Sequence, residues 1–170
     1  MTIKLAETYP DKLVVGMEIR DKVCEFVHQR ILALRKMHPG QYLNAAAIKT
    51  NAMRTLPNYF NKGQLEKLFF LFPDPHFKEK NHRRRIIQTT LLDEYAFLLK
   101  PGGVLYTITD VEELGGWIKN KLEGHPMFER LTEEEMEEDA AAVLLREATE
   151  EGQKVKRNGG KTWRNVYRRV

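Results

Sequence analysis

Residues 68–78 read LFFLFPDPHFK: an apolar run, then an acid between two prolines, then the first cation of a basic cluster. A short, continuous apolar stretch of this kind is the pattern of a strand buried on both faces. Each proline fixes its own φ and pushes the residue before it toward extended geometry. Asp74 follows Pro73 and precedes Pro75, so its backbone is constrained from both sides. In open α/β sheets, ligands bind outside the carboxyl ends of the strands, where this acid is expected to stand. Lys78, Lys80, Arg83, Arg84 and Arg85 follow, opposed within residues 78–85 only by Glu79. A fixed carboxylate beside a phosphate-binding patch implies chemistry on a nucleic-acid base.

The whole chain sets the bounds for that reading. Its 170 residues predict one domain with a real core, and 42% hydrophobic with 31% charged residues is ordinary for a soluble globular protein. No apolar stretch approaches the ~20 residues a membrane helix needs, and the N-terminus lacks a secretory signal pattern. The single cysteine, Cys24, excludes an internal disulfide, fits a reducing compartment and falls on the core side of a predicted helix. The net charge of +4 is unevenly spread. Residues 129–151 hold ten acids against two arginines, whereas residues 154–169 carry only cations among their charged residues. Two basic blocks around an acidic one predict a directed electrostatic surface.

Periodicity supplies the elements. Strands are expected over 12–19, 43–48, 66–72 and 104–109, and helices over 21–37, about 84–99 and 111–122. Asp21 is a candidate N-cap, Pro39-Gly40 ends the first of these helices, and Pro101-Gly102-Gly103 turns the chain into the strand at Val104. Phe128 to Leu131 and Val166 to Val170 form a candidate closing antiparallel pair. Strands alternating with helices predict an α/β fold with a mostly parallel sheet.

A nucleotide-type cofactor in such a fold needs a glycine-rich turn after the first strand, with a ribose-binding acid ~20 residues later. Glu18 has that position, yet the 17 residues before it contain only Gly16. Residues 2–10 read as the last turns of the helix that would follow such a turn. The first strand and its glycine loop are therefore expected to be absent from this chain, leaving two apolar strands without a neighbour. By spacing alone, Glu18 is a ribose acceptor or an exposed acid at a strand end.

The motifs also carry a resemblance. LVVGMEIR at 13–20, NAM at 51–53, GQLEKLFFLFPDPHFK at 63–78, LKPGGVLYTITD at 99–110, TEEGQKV at 149–155 and NGGK at 158–161 occur in one order. Together they resemble the catalytic subunits of eukaryotic tRNA (guanine-N7-)-methyltransferases, enzymes similar in fold to class I, Rossmann-like methyltransferases. The resemblance implies a single domain over residues 1–170, incomplete at its N-terminus, that uses S-adenosylmethionine to methylate a guanine in the tRNA variable loop. It further implies a heterodimer with a WD-repeat, propeller-type subunit, nuclear residence, and neither a metal nor a membrane. The alternative is a truncated, non-catalytic form that binds tRNA or the partner without turnover.

Residue by residue, the resemblance places Glu18, Ile19 and Arg20 at the cofactor ribose. It sets Asn51 and Ala52 by the adenine, Leu71 on the cleft wall, and Thr149 and Glu151 over the pocket. Without it, Asn51 is a polar turn residue, Leu71 is core, and Thr149 to Glu151 end an acidic helix. Asp74 is the expected catalytic residue. The N7 atom of guanine attacks with a free lone pair and loses no proton, so no general base is required. A fixed carboxylate instead orients the base through its N–H edge and opposes the positive charge that develops on the ring. His76 is an assistant or a packed structural residue. Lys78, Lys80, His82, Arg83, Arg84 and Arg85 are the expected phosphate ligands, on a helix start where cations oppose the dipole. Asn81 stands where the family often has a cation.

Overall fold

The structure, a computed structural model, describes residues 1–147 and 160–170. They fall into two compact units, Met1–Leu56 and Pro57–Val170. The first holds helix α1 (Thr2–Thr8), strand β1 (Val14–Glu18), helix α2 (Asp21–Met37), strand β2 (Ala45–Lys49) and the short helix α3 (Ala52–Thr55). β1 and β2 pair in parallel, from Val14 opposite Ala45 to Glu18 opposite Lys49. Ala6 of α1, Ile31 of α2 and Ala45 of β2 form the buried centre, with Val14 and Val27 packed against it. Gly16 matters here: a Cβ would come within 2.7 Å of the Thr2 hydroxyl, which would have to shift to admit a side chain between α1 and β1.

Two local expectations shift in this unit. Asp21 is the first helical residue of α2, and Arg20 holds the cap position. The Asp21 carboxylate pairs instead with Lys49 at 2.8 Å. β2 begins at Ala45 rather than Leu43, because Tyr42 turns the chain with φ at 58°. Arg35 of α2 fastens that turn by donating to the carbonyls of Tyr42 and Ala45 at 3.1 and 2.7 Å.

The second unit holds β3 (Leu65–Leu71), α4 (Thr89–Leu98), β4 (Leu99–Thr109), α5 (Glu112–Glu123), β5 (Phe128–Arg130), α6 (Glu133–Glu138), α7 (Ala140–Glu147) and β6 (Trp163–Arg169). Its sheet runs β3-β4-β6-β5. β3 and β4 are parallel, and β6 is antiparallel to both β4 and β5, which is the expected closing pair. Leu105, Ile108, Leu114, Ile118 and Leu122 are fully buried, so β4 and the inner face of α5 share one core. β4 starts earlier than predicted. Leu65 opposes Leu99 and Lys67 opposes Val104, so the Pro-Gly-Gly turn is a bulge within the strand, with Gly102 at φ 76°.

Among the described residues, β1 stands at an edge of its two-stranded sheet and β3 at an edge of its four-stranded one.

The helix predicted from Arg84 starts at Thr89. Glu79–Arg84 form a 3₁₀ turn, and Arg85 leaves it in extended geometry at φ −63° and ψ 139°. Arg83 and Arg84 therefore sit at the end of a helical turn, where they complement the backbone dipole, whereas Lys78 caps its start and Lys80 lies in its first turn.

Candidate active site

The segment after β3 is held in an unusual backbone. Phe72 and His76 both have positive φ, 48° and 46°, on either side of Pro73-Asp74-Pro75. For residues with a Cβ, each such conformation costs on the order of 1–3 kcal/mol and persists only where the surroundings fix it. Three contacts do so. The Phe72 N–H donates to the Ile108 carbonyl of β4 at 2.8 Å. The His76 N–H donates to Asp74 Oδ1 at 2.9 Å, closing a turn around the acid. Arg85 Nε donates to the Pro75 carbonyl at 2.9 Å. The Asp74 side chain is left 72% exposed. Phe77, next to the basic cluster, is 75% exposed.

The basic cluster divides in two. Lys78, Lys80, Arg83 and Arg84 are exposed, in keeping with the phosphate-binding expectation. Arg85 is not: it is 1% exposed. Its Nη1 and Nη2 donate to Glu113 Oε1 and Oε2 of α5 at 2.9 and 2.6 Å. Nη2 also meets His82 Nε2 at 2.9 Å, and the guanidinium lies 4.7 Å from the centre of the Trp117 ring. Arg85 therefore has no face to offer a phosphate. A buried guanidinium is tolerated only with its donors satisfied, and these partners satisfy it. His82 is also taken up here, with its ring 5.4 Å from that of Trp117.

Glu113 and Trp117 were not singled out for the site by the sequence. The Arg85 guanidinium draws the Glu113 carboxyl below the usual carboxylate range, outweighing the opposing effect of burial. Trp117 falls on the apolar stripe of α5 and reads as core. Its indole N–H donates to the Ile87 carbonyl at 2.9 Å, which fixes the ring against Arg85.

In the first unit, Glu18 ends β1 and its carbonyl accepts from the Thr50 N–H of the β2 end at 3.0 Å. Glu18 and Asn51 thus lie at the same carboxyl end of the β1–β2 pair. Glu18 Oε1 accepts from Arg20 N and Nε at 2.9 and 3.2 Å, and Oε2 accepts from Arg20 Nη2 at 3.1 Å. Partial burial pushes this carboxyl up, but the Arg20 hydrogen bonds and charge outweigh it and hold it below the usual range. An ionised carboxylate at a strand end fits the hydroxyls of a cofactor ribose. It can receive them once the exposed Arg20 side chain turns aside, because three of its roughly four lone-pair positions are now filled.

Ile19 is exposed beside Glu18. The Asn51 side chain accepts from the Met53 N–H at 3.1 Å and so caps α3, whose first residue is Ala52. That is the polar-turn reading of Asn51. Leu71 is the last residue of β3 and half-buried. Thr149 and Glu151 lie outside the described residues. No glycine-rich turn precedes β1 among the described residues.

Comparison with known proteins adds the family. Residues 1–165 match the model of a family described as "Putative methyltransferase". The chain is 63% identical over 171 residues to a tRNA (guanine-N(7)-)-methyltransferase of Arabidopsis thaliana, covering 100% of itself and 68% of that relative. It spans about two thirds of the length of the curated relatives it matches. Among solved structures, the 16S rRNA methyltransferase KamB aligns with a TM-score of 0.64 at 16% identity, over 99% of this chain and 82% of that one. A geranyl diphosphate methyltransferase in complex with SAM aligns with a TM-score of 0.53 at 14% identity, over 98% of this chain and 73% of that one. Both likenesses establish the fold as that of Rossmann-like methyltransferases.

Proposed function

The chain belongs to the family of tRNA (guanine-N(7)-)-methyltransferases, and from that premise we propose that it methylates N7 of a guanine in the tRNA variable loop. The observation that carries the reading is the Asp74 turn: an exposed carboxylate on a braced, strained backbone, with exposed cations directly after it. S-adenosylmethionine supplies the methyl group when bound. Glu18 would hold its ribose hydroxyls, and the backbone at Asn51-Ala52 would meet its adenine.

Asp74 accepts hydrogen bonds from the N–H edge of guanine and sets N7 in line for attack. Its charge then opposes the positive charge that grows on the ring as the N7 lone pair forms the new bond. No proton leaves N7, so neither Asp74 nor His76 acts as a base. Electrostatic stabilisation of this kind typically supplies about 10²–10³ in rate. Lys78, Lys80, Arg83 and Arg84 hold the tRNA backbone through phosphate contacts, which fix register without reading sequence.

The test is transfer of a labelled methyl group from S-adenosylmethionine to tRNA by this chain, followed by cleavage chemistry selective for N7-methylguanine. Label at a guanine N7 of the variable loop is the expected result. Tight tRNA binding without label would overturn the reading in favour of the non-catalytic binding form. The same reading carries a WD-repeat partner subunit and nuclear residence. Co-purification of a propeller subunit from nuclear extract would support both.

A further inference from the structure

Arg85 belongs to the basic run by sequence and to a different structure by geometry. It is fully enclosed, and apart from the contact of Nη2 with the His82 ring its donors point along two directions. One direction leads to α5, where the Glu113 carboxylate receives both Nη atoms and Trp117 supplies a ring face. The other leads to the Pro75 carbonyl, inside the strained turn that presents Asp74. Trp117 is itself fixed to the Ile87 carbonyl, which ties the α5 side of this clamp to the segment after Arg85. A planar fork with five donors suits such a two-sided hold, and a lysine does not reproduce it.

We infer that Arg85 is a positioning residue for methyl transfer, bracing the Asp74 turn against α5 through the Pro75 carbonyl, and that it contacts no tRNA phosphate. The inference deepens the proposed methyl transfer and rests on that reading for its catalytic meaning. The brace acts on the residue between Asp74 and His76. Its loss releases a backbone held at positive φ, and the carboxylate drifts from the guanine edge. A displacement of ~1 Å in a reacting geometry lowers rate by about 100-fold. Phosphate binding, carried by the exposed cations, stays as it was.

The test compares Arg85→Gln with Arg84→Ala. Three quantities are read: the slope of log tRNA affinity against log salt, amide exchange at His76, and kcat at saturating substrates. Each lost phosphate contact flattens the salt slope by about 0.7–0.9. Arg84→Ala is expected to show that flattening. Arg85→Gln is expected to leave the slope unchanged, speed His76 exchange about tenfold by opening the turn locally, and lower kcat about 100-fold. A slope flattened by Arg85→Gln, or unchanged His76 protection, overturns the inference.

If Arg85→Gln does not fold, Glu113→Gln takes its place, because Glu113 is 58% exposed by side chain, so its substitution spares the core while removing the charged anchor that holds the Arg85 guanidinium to α5. Faster His76 exchange with an unchanged salt slope supports the brace. Unchanged exchange, or tighter tRNA binding from a released cation, contradicts it. Absence of turnover in the unsubstituted chain counts against the methyl-transfer reading alone, since exchange and salt slope do not depend on turnover.

Discussion

Glu18 and Asp74 are both acids at the carboxyl end of a parallel strand, but the structure treats them in opposite ways. Glu18 is filled by its neighbour: Arg20 gives it a backbone and two side-chain hydrogen bonds, and its own backbone is ordinary for a strand end. Asp74 has one close donor, the His76 N–H two residues on, and it stands on a turn with positive φ at both flanks. A carboxylate that must exchange one set of hydrogen-bond donors for another needs charge and access. A carboxylate that must meet a reacting ring in one orientation needs a rigid backbone. The contrast supports the proposed division, with binding for Glu18 and chemistry for Asp74.

The sharpest way to break that division is Asp74→Ala, which should lower kcat by about 10³ while tRNA affinity changes little. Retained turnover, measured under single-turnover conditions, would remove Asp74 from the chemistry. Glu18→Ala should act on the other side, weakening S-adenosylmethionine about 100-fold, as expected for two charge-assisted bonds. Calorimetric titration checks this, and unchanged affinity would leave Glu18 an acid at a strand end.

A third carboxylate, Asp139, calibrates the pair because it serves stability. It ends α6, caps the next helix through the Ala141 N–H at 2.8 Å, and meets Lys67 Nζ at 3.1 Å and the Tyr106 hydroxyl. Burial pushes its carboxyl up, but the Tyr106 hydroxyl and the Lys67 charge outweigh it and hold it below the ordinary 3.8. A depressed carboxyl stabilises the folded state above that ordinary value, and the contribution fades as pH falls through the lowered one. Asp139→Asn should therefore cost about 2 kcal/mol near neutral pH. The gap to the unsubstituted chain should narrow below about pH 4 in urea titrations. A pH-independent gap would contradict the ionic account. The smallest effect belongs to the exposed run: Arg83→Ala should weaken tRNA binding several-fold at low salt and flatten its salt slope by less than one.

Much of this was legible in the sequence, for identifiable reasons. Apolar runs and helical spacing located β1, β3, α2, α5 and the closing β5–β6 pair, because in each the side-chain period is dictated by one buried core. The Pro-Asp-Pro step located the Asp74 turn, although Phe72, directly before Pro73, takes a φ of 48° instead of the extended geometry that proline favours there. The misses share one cause. Arg85 reads as one cation among five, and nothing local distinguishes the one whose guanidinium is buried by an acid and an indole near 30 residues away. The helix start slipped from Arg84 to Thr89 at the same place, where the buried Arg85 leaves the 3₁₀ turn in extended geometry. Asn51 acts as a helix cap, a local role its residue type favours. Tertiary pairing, which the pattern of residues does not encode locally, decided the rest.

The division between the two acids is tested most directly by measuring kcat and the S-adenosylmethionine dissociation constant side by side for Asp74→Asn and Glu18→Gln. A crossed result is expected: kcat falls with unchanged cofactor affinity in Asp74→Asn, and cofactor affinity falls with kcat largely kept at saturation in Glu18→Gln. Loss of cofactor binding in Asp74→Asn, or loss of kcat at saturating cofactor in Glu18→Gln, would contradict it.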